Sequence, residues 1–286
     1  ESKLLAMRRI SLCILLSLFS LAIIAQQNAS NDYEKLWESE EVFQVPESVY
    51  CDNDNNILYV SNINGSAVVK DDNGFISKLG KDGKVVELKW VDGLNAPKGM
   101  GKYGDLLYVA DIDELIEIDI PSGKVLNRFK VEGARFLNDI AIDPNGIVYI
   151  SDTQNNMIYI FDGNAVEEWY TNEDFIGLNG LFYHGNALYA GSRDMILKIN
   201  TINKASKVAA ENMGPVDGLN IDEYYNYIVS DFSGKVQYLK PDGEFYVLFN
   251  TSDQLMNAAD IYYDIESGIL YVPTFIDNRV MAYRIN

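Results

Sequence analysis

Six stretches of this chain place a chemically capable side chain at one phase of a repeating unit. Glu47, Lys98, Asn138, Asn179, Asp217 and the pair Ala259-Asp260 each stand roughly ten to twelve residues before a recurring strand-borne tyrosine. Several share a local pattern: Leu137-Asn138-Asp139, Leu178-Asn179-Gly180 and Val216-Asp217-Gly218. Carboxylates and amides brought together away from water are costly unless something satisfies them. A hard divalent cation does so, because carboxylate and carbonyl oxygens are its preferred ligands. Taken singly, an Asn or Asp before Gly is an ordinary turn residue. Four oxygen-bearing side chains at one phase, Glu47, Asn138, Asn179 and Asp217, are better explained by a shared metal site.

The elements that must position these residues are legible as a repeat. The motif reads Leu58-Tyr59-Val60-Ser61-Asn62, Leu107-Tyr108-Val109-Ala110-Asp111, Val148-Tyr149-Ile150-Ser151-Asp152, Leu188-Tyr189-Ala190-Gly191-Ser192, Tyr227-Ile228-Val229-Ser230-Asp231 and Leu270-Tyr271-Val272-Pro273-Thr274. Turn dipeptides run in step with it: Asp82-Gly83, Ser122-Gly123, Asp162-Gly163 and Asp242-Gly243, with Asn203 expected to take the positive-φ place in the missing slot. A period near forty built from β-branched and aromatic runs predicts an all-β, six-bladed β-propeller of four short strands per blade. The innermost strand of each blade lines a central channel, so the six equivalent positions converge on its axis.

The sixth copy stops at Asn286 before its fourth strand. The segment Lys35-Leu36-Trp37-Glu38-Ser39-Glu40-Glu41-Val42-Phe43 has the look of that strand, so the ring is expected to close with residues 35–43 completing the last blade. Closure removes the free sheet edge. Strand parity puts the ends of the Tyr-Val strands, Asn62, Asp111, Asp152, Ser192 and Asp231, on the same face as the channel residues. Asp152 and Asp231 are the strongest candidates there for contact with a substrate; the alternative is that each caps the next turn.

Hydrophobic content of 48%, 19 tyrosines and only 7 prolines suit strands rather than disorder. Residues 1–25 read as upstream residues followed by a secretory signal peptide. Met7-Arg8-Arg9 is a short positive region, Ile10 to Ile24 is apolar, and Ala25-Gln26-Gln27 offers a small residue for cleavage. The apolar run is too short and too weakly flanked to favour a stable membrane span. Residues 26–286 then form one propeller domain, exported to the periplasm or secreted. Removing Glu1, Lys3, Arg8 and Arg9 with the leader takes the formal charge from −19 to −21. Such acidity argues against nucleic acid or an anionic membrane as partner. One cysteine, Cys51, survives processing, which precludes an internal disulfide.

At this level the chain resembles the family of gluconolactonases, senescence marker protein (regucalcin) and luciferin-regenerating enzyme. The resemblance spans residues 33–286. It rests on Pro46-Glu47-Ser48, on Leu137-Asn138-Asp139-Ile140-Ala141-Ile142-Asp143-Pro144-Asn145-Gly146, on Leu178-Asn179-Gly180 and on Val216-Asp217-Gly218, in order across four blades. It implies a six-bladed propeller holding one divalent cation, often calcium, with magnesium, manganese or zinc as alternatives, and lactone hydrolysis as the chemistry. Carried over by position, Glu47, Asn179 and Asp217 are the metal ligands. Asn138 faces the substrate, and Asp217 doubles as the base that activates or orients water.

Two departures stand out. The family often has an Arg two residues before the substrate-facing Asn, whereas Arg135 lies three before Asn138. Lys98 occupies the channel position of the second blade. It either replaces that Arg in holding an anionic or hydroxylated substrate, or pairs with Asp217 or Glu47. The only histidine, His184, falls in a turn on the opposite face. No Gly-x-Ser-x-Gly elbow and no Walker-type phosphate loop occurs. The expected partner is therefore a small-molecule lactone, and a closed ring needs no second subunit to fold, so a monomer is expected. The competing reading is a non-catalytic propeller that binds a ligand or protein in the manner of NHL repeats. A strictosidine-synthase-like condensation enzyme is a third.

Overall fold

The computed structural model describes residues 33–241 and 243–286. The leader read at residues 1–25 and residue 242 of the Asp-Gly series lie outside the described residues. The described residues form 24 strands in six four-stranded antiparallel sheets. Blade I comprises β2 (Pro46–Asp52), β3 (Ile57–Asn62), β4 (Gly74–Gly80) and β5 (Val85–Leu94). Blade II is β6 (Pro97–Tyr103) to β9 (Lys124–Lys130), and blade III is β10 (Leu137–Ile142) to β13 (Val166–Thr171). Blade IV is β14 (Leu181–His184) to β17 (Ser206–Glu211), and blade V is β18 (Leu219–Ile221) to β21 (Phe245–Asn250). Blade VI holds β22 (Tyr262–Asp264), β23 (Ile269–Pro273) and β24 (Val280–Ile285).

Its fourth strand is β1 (Tyr33–Glu38), which pairs antiparallel with β24. The closing strand is thus shorter than the 35–43 expected and starts earlier. Pairing ends at Glu38↔Met281. Beyond it the backbone turns, with Val42 N–H bonding Glu40 C=O, to deliver the chain into β2. Trp37 fastens the closure by donating its indole N–H to Lys81 C=O at 2.9 Å.

The core lies between blades. One buried cluster joins Tyr108, Ala110 and Leu115 of blade II to Leu137, Ile140 and Val148 of blade III. The cluster at the seam joins Val49 and Leu58 of blade I to Tyr271 and Ala282 of blade VI. The six motif tyrosines are all buried in these interfaces, which is why the motif repeats. In the outer turns Gly83, Gly123, Gly163 and Gly243 have positive φ. In the fourth slot, that of blade IV, the conformation falls on Lys204, not on Asn203, whose side-chain oxygen instead accepts the Ala205 N–H.

Candidate active site in the channel

The innermost strands of neighbouring blades contact one another around the axis. In blades I to III the inner strand carries a bulge against its partner, between Pro46 and Val49, Pro97 and Met100, and Leu137 and Ile140. Each bulge holds the position singled out above, Glu47, Lys98 or Asn138. A bulge re-aims side chains out of the regular pleat, and here it turns them toward the channel. The serines of the repeated motif fasten it: Ser61 Oγ accepts Ser48 N–H and Ser151 Oγ accepts Asp139 N–H, both at 2.9 Å. In blade V, Ser230 Oγ accepts Gly218 N–H at 2.7 Å.

The result is a cavity of about 360 Å3 lined by Glu47, Lys98, Asn138, Asn179 and Asp217 together. Asn179 Nδ2 donates to Asp217 Oδ1 at 2.7 Å, and Asn138 Nδ2 donates to Thr153 Oγ1 at 2.9 Å. Burial pushes the Asp217 carboxyl up to about 7, against the Asn179 hydrogen bond that favours its charged form. Glu47 is raised well above the carboxylate range, by burial first and then by the field of Asp217, with Lys98 opposing. Its Oε2 is buried and has no hydrogen-bond partner. Lys98 is held below the usual lysine range by burial, which the fields of Glu47 and Asp111 oppose. Its ammonium donates to Ala96 C=O at 2.9 Å and stands 4.5 Å from the centre of the Phe136 ring.

These residues fit a divalent cation. An orphaned buried carboxylate oxygen on Glu47 beside the Asn179–Asp217 pair is a hard-oxygen donor set short of positive charge. Among the described residues no three His, Cys, Asp or Glu side chains gather closely enough to hold an ion by themselves. An ion held by Glu47 and Asp217 would need the Asn179 amide oxygen as a third ligand.

Three expected contacts fall elsewhere. Arg135 is exposed and does not line the cavity; its neighbour Phe136, two residues before Asn138, does. Asp152 is fully buried with both oxygens occupied. Oδ1 accepts the N–H groups of Phe136, Gln154 and Asn155, and Oδ2 accepts that of Arg135. Asp111 grips Asn95 and Ala96 in the same way. These aspartates hold the loop that leads into their own blade's inner strand. Asp231 accepts Ser233 N–H and lies 3.5 Å from the Lys235 ammonium, yet its field still reaches Asp217.

The residues missed were one step further along. Ile63, Thr153, Phe232 and Phe275 each follow the last residue of the repeated motif, and all four line the cavity. Counting one position past Asn62, Asp152, Asp231 and Thr274 would have found them. His184 ends β14, packed edge-on against Tyr225 at 5.0 Å, away from these residues.

No protein-family model matches the sequence, and no curated protein is a significant match. Solved structures do match in shape. A streptogramin B lyase superposes with a TM-score of 0.65 at 10% identity, over 89% of this chain and 97% of that one. A gluconolactonase of Xanthomonas campestris gives 0.64 at 15% identity, over 89% of each chain. The fold is the six-bladed propeller. A second solved structure, described as a putative gluconolactonase, gives 0.64 at 14% identity, over 89% of this chain and 92% of that one. A lyase and gluconolactonases on one propeller show that the fold alone does not choose the chemistry.

Proposed function

We propose that this propeller is a divalent-cation-dependent hydrolase of a sugar lactone or a similar lactone. The observation that carries the reading is the buried, unpartnered Oε2 of Glu47, in the same cavity as the hydrogen-bonded Asn179–Asp217 pair. The gluconolactonases of like fold support it. Glu47, the Asn179 amide oxygen and Asp217 would hold the cation, most simply calcium. Bound there, it would supply Lewis-acid polarisation of the lactone carbonyl.

The chain's own groups account for the proton. Asp217 takes a proton from the attacking water as that water's oxygen adds to the carbonyl carbon. The ring C–O bond then breaks, and the same proton passes to the departing alkoxide to give a hydroxy acid. Asn179 fixes one Asp217 oxygen and so sets the direction of the other. Asn138, steadied by Thr153, orients the lactone. Lys98 offsets part of the negative charge of Glu47. The leader read in the sequence would place this activity in the periplasm or outside the cell, and a closed ring would work as a monomer.

Replacing Asp217 by Ala tests the assignment. Turnover should vanish while circular dichroism and melting show an intact fold; retained hydrolysis would remove Asp217 from the reaction.

A further inference from the structure

The cavity is divided by polarity. Glu47, Lys98, Asn138, Asn179, Asp217 and Thr153 supply its polar groups, and each nitrogen among them makes a hydrogen bond within the protein. Asn179 donates to Asp217, Asn138 to Thr153 and Lys98 to Ala96 C=O. The remaining wall is apolar, formed by Ile63, Ala67, Phe136, Val216, Phe232 and Phe275. Phe232 and Phe275 meet edge to face with centroids 4.9 Å apart. Phe275 also packs on the buried cluster of Ile63, Ala96 and Ile112, which ties one side of the wall into the core.

Two further features extend this surface. Phe275 has φ 51°, a left-handed conformation that a bulky side chain rarely adopts. Such strain persists only where the surroundings impose it, and it concentrates at functional sites. Beside the lining residues Ala67, Gly177 and Phe275 stand Val68, Ile176 and Ile276, exposed by 56%, 55% and 66%. Phe232 is itself 45% exposed. An apolar wall that reaches the surface, as this one does at Phe232, marks a binding site rather than scattered surface residues.

We infer that the lactone accepted here carries an apolar substituent, an alkyl or aryl group lodged against Phe136, Phe232 and Phe275, rather than a ring decorated with hydroxyls. The inference rests on the lactonase reading and narrows it. Hydroxyls pressed against this wall would lose water without gaining partners. Each methylene buried there gains instead, by a factor of about four in kcat/KM.

The test has a catalytic arm and a binding arm, both on the purified protein with calcium present. Hydrolysis is compared for δ-valerolactone, its alkyl-substituted homologues up to δ-decalactone, and glucono-δ-lactone. Binding of the matching non-hydrolysable δ-lactams is followed by calorimetry. Wild-type kcat/KM and lactam affinity should rise with each added methylene and exceed those for the gluconate-derived ring. Phe232→Ala, and Phe275→Leu as a milder second variant, should flatten that rise. A flat wild-type series, or a preference for glucono-δ-lactone, overturns the inference. If no lactone is hydrolysed but the alkyl lactams still bind more tightly with length, the hydrolase reading falls and the apolar ligand stands. If the lactams bind without regard to length, the inference falls whatever the hydrolysis shows.

Discussion

Two layers of the channel lie one residue apart and solve opposite problems. The upper holds Glu47, Lys98, Asn138, Asn179 and Asp217; the next residues, Ser48, Gly99, Asp139, Gly180, Gly218 and Asp260, form the lower. The lower layer is internally satisfied. Ser48 Oγ donates to Asp260 Oδ2 at 2.5 Å, and Asp139 accepts the N–H groups of Ile140 and Leu181, both at 2.6 Å. Its glycines have no side chain because there is no room for one. A Cβ on Gly180 would lie 2.4 Å from Asp217 O, one on Gly218 2.4 Å from Ile261 N, and one on Gly99 2.6 Å from the Asp139 Cα. The upper layer leaves a carboxylate oxygen of Glu47 without a partner. The same residue types serve as mortar in one layer and as an open donor set in the other, and what separates them is whether the protein completes their bonds.

Substitutions that neutralise one layer or the other should therefore divide activity from stability. The largest effect is expected for Asp217→Asn. Hydrolysis should fall by about 10²–10⁴-fold, the usual worth of a positioned acid–base group, while the melting temperature holds or rises, because a buried carboxylate is removed. A drop in both would place Asp217 with the mortar. Asp139→Ala should do the reverse. It orphans two buried N–H groups at about 1–3 kcal/mol each, so denaturant unfolding should show a loss of that order.

A smaller effect concerns the pH dependence of stability in chelated protein. Burial pushes the carboxyls of both Asp139 and Asp217 up to about 7, from 3.8. Folded values above unfolded ones mean that the stability these groups contribute is complete below 3.8 and is lost as pH rises through about 7. Glu47, Asp260 and Asp231 add negative field around them, against Lys98. Melting temperature should decline between pH 5 and 8 with chelator present, and calcium should restore part of it at pH 8. A decline that calcium leaves untouched would mean the upper layer binds no cation. The smallest effect concerns Lys98→Met. Removing a positive charge from the cavity should tighten calcium binding several-fold in a calorimetric titration; weaker binding would give Lys98 a positioning role instead.

The repeat made the fold and the upper layer readable, because Tyr59, Tyr149 and their counterparts must fill equivalent interblade spaces and so keep one spacing. The lower layer was not readable in the same way. Gly180 and Gly218 look like turn glycines after Asn179 and Asp217, and only the approach of the next blade shows that they are clearance. Arg135 and Phe136 are adjacent, and the choice of which one faces the cavity is made by Asp152, whose carboxylate grips both of their N–H groups. The apolar wall is assembled from loops of unequal length, so Phe136, Phe232 and Phe275 share no obvious phase until the end of each motif strand is fixed.

If the upper layer holds a cation, lactone hydrolysis depends on it. The most direct test is the rate of lactone hydrolysis by chelated protein, before and after adding back calcium, magnesium, manganese or zinc, with folding followed in the same samples. Chelation should take the rate to background, and one cation should restore it. Undiminished hydrolysis by folded, cation-free protein, or no hydrolysis with any cation, would contradict the proposal.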